Sequence, residues 1–228
     1  MVEAFTTQSL LRLIAWLSPA FPVGGFAYSS GLEKAVDDGL VRHQADLAAW
    51  LTALLQHGTL WNDAVLLAEA WRSFKQRPAL ESVAELAAAL AGSKERSLET
   101  MALGCGFRDA ARAWPTPSLA GTPLDWLQGA VAYPVVVGAV AASHGVGCEA
   151  VLAAYLHAGV SQQVSAGIRL GLIGQSHGVA LLVRLEETIA AVAARAVDST
   201  LDDLGSATIA ADIVSARHEI QTTRLFRS

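Results

Sequence analysis

Apolar residues recur along this chain with the period of an α-helix, and no stretch sustains the period-two alternation of a strand. Leu47, Trp50, Leu51, Leu54 and Leu55 fall at i, i+3, i+4, i+7 and i+8, the spacing that lines one side of a helix. Trp61, Ala64, Val65, Ala68 and Trp71 repeat it, and Pro78 marks a break. Glu81 to Leu90 is alanine-rich, which favours helix by propensity. Helix continues over Lys94 to Ala113, loosened by Gly104 and Gly106, up to a loop at Trp114-Pro115-Thr116-Pro117 that Gly121-Thr122-Pro123 prolongs. Pro134 suits the first turn of the next helix, where its missing N–H costs nothing, and that helix ends near Gly145 and Gly147. The two longest helical readings are Glu149 to Leu170 and Gln175 to Val197, separated by Gly171 and Gly174. In the second, Leu182, Leu185, Ile189, Val192 and Ala196 share a face; Ile209, Ile213, Ala216 and Ile220 mark a short final helix. The pattern predicts an all-α, single-domain bundle of about nine or ten helices spanning residues 1–228.

Hydrophobic residues make up 53% of the chain and charged residues only 16%, more apolar surface than a self-contained monomer needs. Much of that share is alanine, and small residues let helices approach closely. A homodimer is therefore expected, through long helices that include Tyr133 to Ser143 and Glu149 to Leu170. The net charge of -5 argues against nucleic-acid binding, which needs a basic footprint. The uncharged stretch from Leu127 to Ser143 is short of the ~20 residues that cross a bilayer, so no membrane partner is expected. Glu3 and Arg12 interrupt any targeting pattern at the amino terminus. Cys105 and Cys148 form no disulfide framework and fit a reducing cytoplasm.

Machinery for catalysis is scarce. Among His43, His57, His144, His157, His177 and His218 no two stand four apart, so no helical metal pair forms and no metal or cofactor is expected. His218, read as an exposed imidazole near the end of the chain, is the best weak ligand. Gly24-Gly25 lacks the following Lys-Ser or Lys-Thr of a phosphate loop. Gly104-Cys105-Gly106 opens no βαβ unit, and both cysteines lie in apolar helical context, which favours inert thiols.

Two segments look built for contact instead. Leu17 to Ser29 carries Pro19 and Pro22, which stiffen it, Gly24 and Gly25, which permit unusual backbone angles, and then Phe26 and Tyr28. Ser29 or Ser30 is placed to cap the helix through Leu32-Glu33-Lys34. The second is Arg224-Leu225-Phe226-Arg227-Ser228. It sets an apolar pair between arginine forks, a pattern suited to docking on the chain's own body or on a partner.

These segments resemble the UreF family of urease accessory proteins. Ser18-Pro19-Ala20-Phe21-Pro22-Val23-Gly24-Gly25-Phe26-Ala27-Tyr28-Ser29-Ser30-Gly31-Leu32-Glu33 is similar to its loop signature. Tyr133-Pro134-Val135-Val136-Val137-Gly138 resembles a helix start of that family, and Ile168-Arg169-Leu170-Gly171-Leu172-Ile173-Gly174-Gln175 a later segment. Arg217-His218-Glu219 and the closing Arg224 to Ser228 resemble its carboxyl end. Gly171 and Ile173 depart from the proline or leucine common there.

The resemblance implies an all-α dimeric scaffold without a catalytic site of its own. Such a scaffold binds the accessory protein UreD (UreH) and the GTPase UreG, and supports nickel insertion into apo-urease. Pro22, Gly24, Gly25, Phe26, Tyr28, Ser29, Glu33, Arg224, Leu225, Phe226 and Arg227 become candidate partner-binding residues; Pro134, Gly138, Arg169, Gly174 and Gln175 become structural motif positions. Residues 217–228 are expected to be mobile until a UreD-type partner binds, with the Pro-Gly-Gly-Phe loop as their neighbour and Phe26 and Tyr28 facing Arg224 or Phe226. The alternative is a modulator of a partner's GTPase activity that supplies Arg224, Arg227 or Arg169. A third reading is an all-α enzyme using His177 or Cys148.

Overall fold

A computed structural model describes residues 6–115 and 122–228; the predicted loop positions Thr116, Pro117 and Gly121 lie outside them. All regular structure in the described residues is helical. The α-helices are α1 (Thr7–Trp16), α2 (Leu32–Asp37), α3 (Gln44–His57), α4 (Thr59–Ser73), α5 (Arg77–Ala89) and α6 (Lys94–Ala111). They continue as α7 (Pro123–Trp126), α8 (Tyr133–Ser143), α9 (Cys148–Arg169), α10 (Gln175–Val197) and α11 (Ile209–His218). Short 3-10 turns lie at Gly25–Ala27 and Leu201–Asp203.

The ends follow the chemistry of the sequence. Ser93 Oγ accepts from the Arg96 N–H and opens α6, and Thr6 Oγ1 does the same for Ser9 in α1. Pro78 and Pro134 both sit in a first turn, of α5 and α8.

The middle of the molecule is α8, packed against α4, α6 and α9. Every residue from Pro134 to Ala142 is buried. Gly138 lets α8 approach α4 this closely, because a Cβ there would run into the Leu67 carbonyl. This placement corrects the expectation that Tyr133 to Ser143 forms a dimer surface: small residues in α8 serve close packing inside one chain. In α9, by contrast, His157 and Ser165 are exposed and Ala158, Ser161 and Gln162 half-buried.

The inner face of α10 is Leu181, Leu185, Ile189, Val192 and Ala196, with Leu182 only half-buried. Helix α11 differs from its expected pattern. Ile209, Ile213 and Ile220 are 68%, 52% and 82% exposed, while Val214 and His218 face inward. An aromatic cluster of Trp16, Phe21, Phe107 and Trp114 closes the region between α1 and α6, with centroids of Phe21 and Phe107 5.4 Å apart. No helix of the described residues is long and apolar enough to cross a membrane.

Candidate partner-docking site

The loop between α1 and α2 is held in one shape by its own backbone. The Phe21 N–H donates to Ser18 and the Val23 N–H to Phe21. Gly24 at φ 80° and Gly31 at φ 83° take left-handed angles that glycine adopts without strain. Phe21 and Tyr28 turn inward, but Phe26, on the 3-10 turn, is 75% exposed. The prolines and glycines thus fix a loop that sends two aromatics into the core and one out.

The carboxyl-terminal strap, residues 219–228, lies on this loop. The Arg227 N–H donates to the Ala27 carbonyl, and the Ser228 carbonyl accepts from the Ser29 N–H and hydroxyl. Glu33, only 6% exposed, accepts from the N–H groups of Leu225 at 2.6 Å and Phe226 at 3.0 Å. Its carboxylate is therefore an internal anchor of the strap. Phe226 is buried and Leu225 is 53% exposed.

The tail was expected to be mobile; the structure seats it, because Glu33, Ala27 and Ser29 satisfy its backbone polar groups. The loop is its neighbour, as expected, but the aromatic pairing is different. Arg169, at the end of α9, stacks on Phe226 at 4.3 Å and donates to the Phe26 carbonyl. Arg224 instead bonds Glu95 at 2.6 Å and the carbonyls of Gln221 and Glu219. Of the three arginines considered for a partner's active site, two are engaged within the chain. Arg227 is exposed and has no ion pair among the described residues.

Loop, strap and α9 enclose a cavity of about 340 Å³ lined by Phe26, Tyr28, Tyr155, Gln163, Arg169 and Phe226, with a charged floor of Asp63, Arg96 and Glu99. Asp63 Oδ2 accepts from Arg96 at 2.7 Å and from the Tyr155 hydroxyl at 2.9 Å. Glu99 accepts from Ser30 at 2.7 Å and Ser228 at 2.8 Å. One polar chain thus links α4 to the last residue. Burial opposes the Arg96 charge, but Asp63 and Glu99 beside it outweigh that and hold its pKa above the ordinary arginine value. Burial, and then the Asp63 charge, pushes the Tyr155 phenol up. Sequence reasoning missed this floor; its signal was Asp63, a carboxylate set directly before Ala64 and Val65 of the apolar pattern from Trp61 to Trp71.

The other candidates serve elsewhere. Pro134 and Gly138 build the core, and Gly174 caps α10 ahead of an exposed Gln175. None of these four lines the cavity. His218, expected to be exposed, is fully buried between Glu33 and Glu95, because α2 and α6 each send a carboxylate under α11. Cys148 is half-buried, and burial pushes its thiol up to about 11, against a role as nucleophile. No group of three or more His, Cys, Asp or Glu side chains fit to hold a metal occurs among the described residues.

The described residues form an all-α body with a stiff loop and a seated strap, and the proteins similar to this chain are accessory proteins of urease. The UreF family profile matches residues 41–186. A urease accessory protein UreF of Allorhizobium ampelinum is 65% identical over 235 residues, with 100% of both chains covered. Those of Rhizobium etli and Rhizobium meliloti are 60% and 55% identical over 228 residues, again with both chains fully covered. The chain belongs to the UreF family, and its work is in urease maturation.

Proposed function

We propose that the chain is a non-catalytic adaptor that binds the accessory protein UreD (UreH) and recruits the GTPase UreG, so that nickel is inserted into apo-urease. The observation that carries this reading is Phe26, a large aromatic 75% exposed on a backbone fixed by the loop and by Arg169. Rigid exposed aromatics are the usual anchors of protein interfaces, because they bury large area at little entropic cost. Pro22, Leu225 and Arg227 are exposed on the same loop and strap and supply a mixed apolar and basic rim. Gly24, Gly25, Tyr28, Ser29, Glu33 and Phe226 act behind that surface by holding its shape. Co-purification of the two partners with the wild-type chain and with Phe26→Ala tests the assignment; equal recovery of the partners would refute it.

The adaptor works as a homodimer in the cytoplasm. The dimer surface is the outer face of α9, which carries no Asp, Glu, Lys or Arg between Glu149 and Arg169 and so loses little hydration on association. A dimer of this kind buries more than ~1,000 Å², and light scattering at micromolar concentration reads its mass.

The second reading, a modulator of the partner's GTP hydrolysis, now rests on Arg227. A supplied arginine is worth about 10³–10⁵ in rate, so Arg227→Ala would abolish any acceleration that the wild-type chain produces.

A further inference from the structure

The seat of the strap sets one imidazole between two carboxylates. His218 Nε2 lies 3.1 Å from Glu33 Oε2, and His218 Nδ1 lies 2.6 Å from Glu95 Oε2. Carboxylates accept only, and a neutral imidazole donates from one nitrogen and accepts at the other. Both contacts are satisfied together only if the trio holds one proton more than two carboxylates and a neutral ring would carry. The ring is 0% exposed, so water cannot replace either partner.

The same two carboxylates hold the strap. Glu33 takes the Leu225 and Phe226 N–H groups, and Glu95 takes Arg224 at 2.6 Å. With the extra proton, two negative charges face the imidazole proton and the Arg224 guanidinium, and the cluster is neutral. Without it, a lone pair on the ring faces a carboxylate, and a buried negative charge is left uncompensated, which is costly. The neighbouring charges do not fill this role. Arg217 pairs with Asp38 at 2.9 Å, and Glu219 accepts from the Lys94 N–H at 2.9 Å.

We propose that the proton shared by Glu33, His218 and Glu95 is a latch: the strap is seated while the trio holds it and released when it is lost. The seated form binds the proton, so seating is lost as pH rises. Release removes Phe226 from under Arg169 and opens the wall between the loop and α6.

The test is nuclear magnetic resonance of the full ¹⁵N-labelled chain, titrated upward from about pH 6. The probes are the Leu225 and Phe226 amides and the His218 ring. The expected result is that both amides start at displaced, carboxylate-bound shifts and move to unstructured positions in step with the ring titration. Glu95→Gln supplies an amide that donates to the neutral ring nitrogen, so this variant holds the strap seated through the same range. Wild-type amides that stay put while the ring titrates, or that move without it, overturn the latch. So does a strap already unseated at the start, or a Glu95→Gln strap that is free or follows the wild-type course.

Discussion

The guanidinium of Arg169 lies over the ring of Phe226 at 4.3 Å and also donates to the Phe26 carbonyl. One side chain therefore ties the end of α9 to both the loop and the strap. A flat, delocalised cation stacks on a ring while keeping its in-plane donors free; an ammonium has no such plane. Arg169→Lys is expected to lose the stack, worth about 0.5–2 kcal/mol. Faster amide exchange at Arg227, with global helix content unchanged, is the readout.

The charged floor predicts a larger loss. Asp63 is 8% exposed and accepts from both Arg96 and Tyr155. Asp63→Ala leaves the guanidinium facing a part-buried gap and is expected to cost about 3 kcal/mol. Tyr155→Phe, which removes one donor and leaves the Asp63–Arg96 pair, should cost about 1 kcal/mol. Urea denaturation of the three proteins gives the order directly, and similar losses for the two variants would contradict it.

Gly138→Ala puts a methyl group against the Leu67 carbonyl, where α8 packs on α4. Backbone cannot swing away as a side chain would, so the expected cost is about 1–3 kcal/mol. Gly39→Ala replaces a glycine at φ 70° that faces open space, so its loss is backbone strain alone, of order 1 kcal/mol. Thermal unfolding separates the two.

His144 carries a distinct pH dependence. Burial against Trp16, and then the Arg12 charge, lowers its pKa from 6.5 to about 4. The unfolded chain thus takes up this proton at a higher pH than the folded one. Stability from this group is complete above the unfolded value and falls as pH drops from 6.5 toward about 4. His144→Leu should flatten the difference in melting temperature between neutral and mildly acid solution; an unchanged difference would exclude His144 as its source.

The helices were legible because most are held by apolar stripes of helical period. Most of the predicted faces of α3 and α4 are core, with Trp50 and Trp71 at their half-buried edges, while α4 also buries Leu60, Leu66, Leu67 and Ala70 outside the pattern. Helix α11 could not be read this way. Its inner side is chosen for Val214 and for a His218 hydrogen-bonded between Glu33 and Glu95, so the isoleucines that marked a face point to solvent. The loop between α1 and α2 was visible through its prolines and glycines, and the strap through Leu225 and Phe226. Which arginine would meet Phe226 depends on where α9 ends in space, and no local pattern encodes that. Asp63, Arg96 and Glu99 escaped notice for the same reason: Asp63 lies on α4, Arg96 and Glu99 lie one turn apart on α6 and Tyr155 lies on α9, and they become a network only when the three helices converge.

The central claim is that the loop and the seated strap form the surface a partner binds, and Phe26 tests it with least disturbance to the fold. Phe26 is 75% exposed, so Phe26→Ala should leave helix content and mass unchanged. Titration calorimetry of the wild-type and variant chains against a UreD-type partner is the decisive measurement. The expected result is a loss of at least about tenfold in affinity, that is about 1.4 kcal/mol or more. Equal affinities for the two chains would contradict the account.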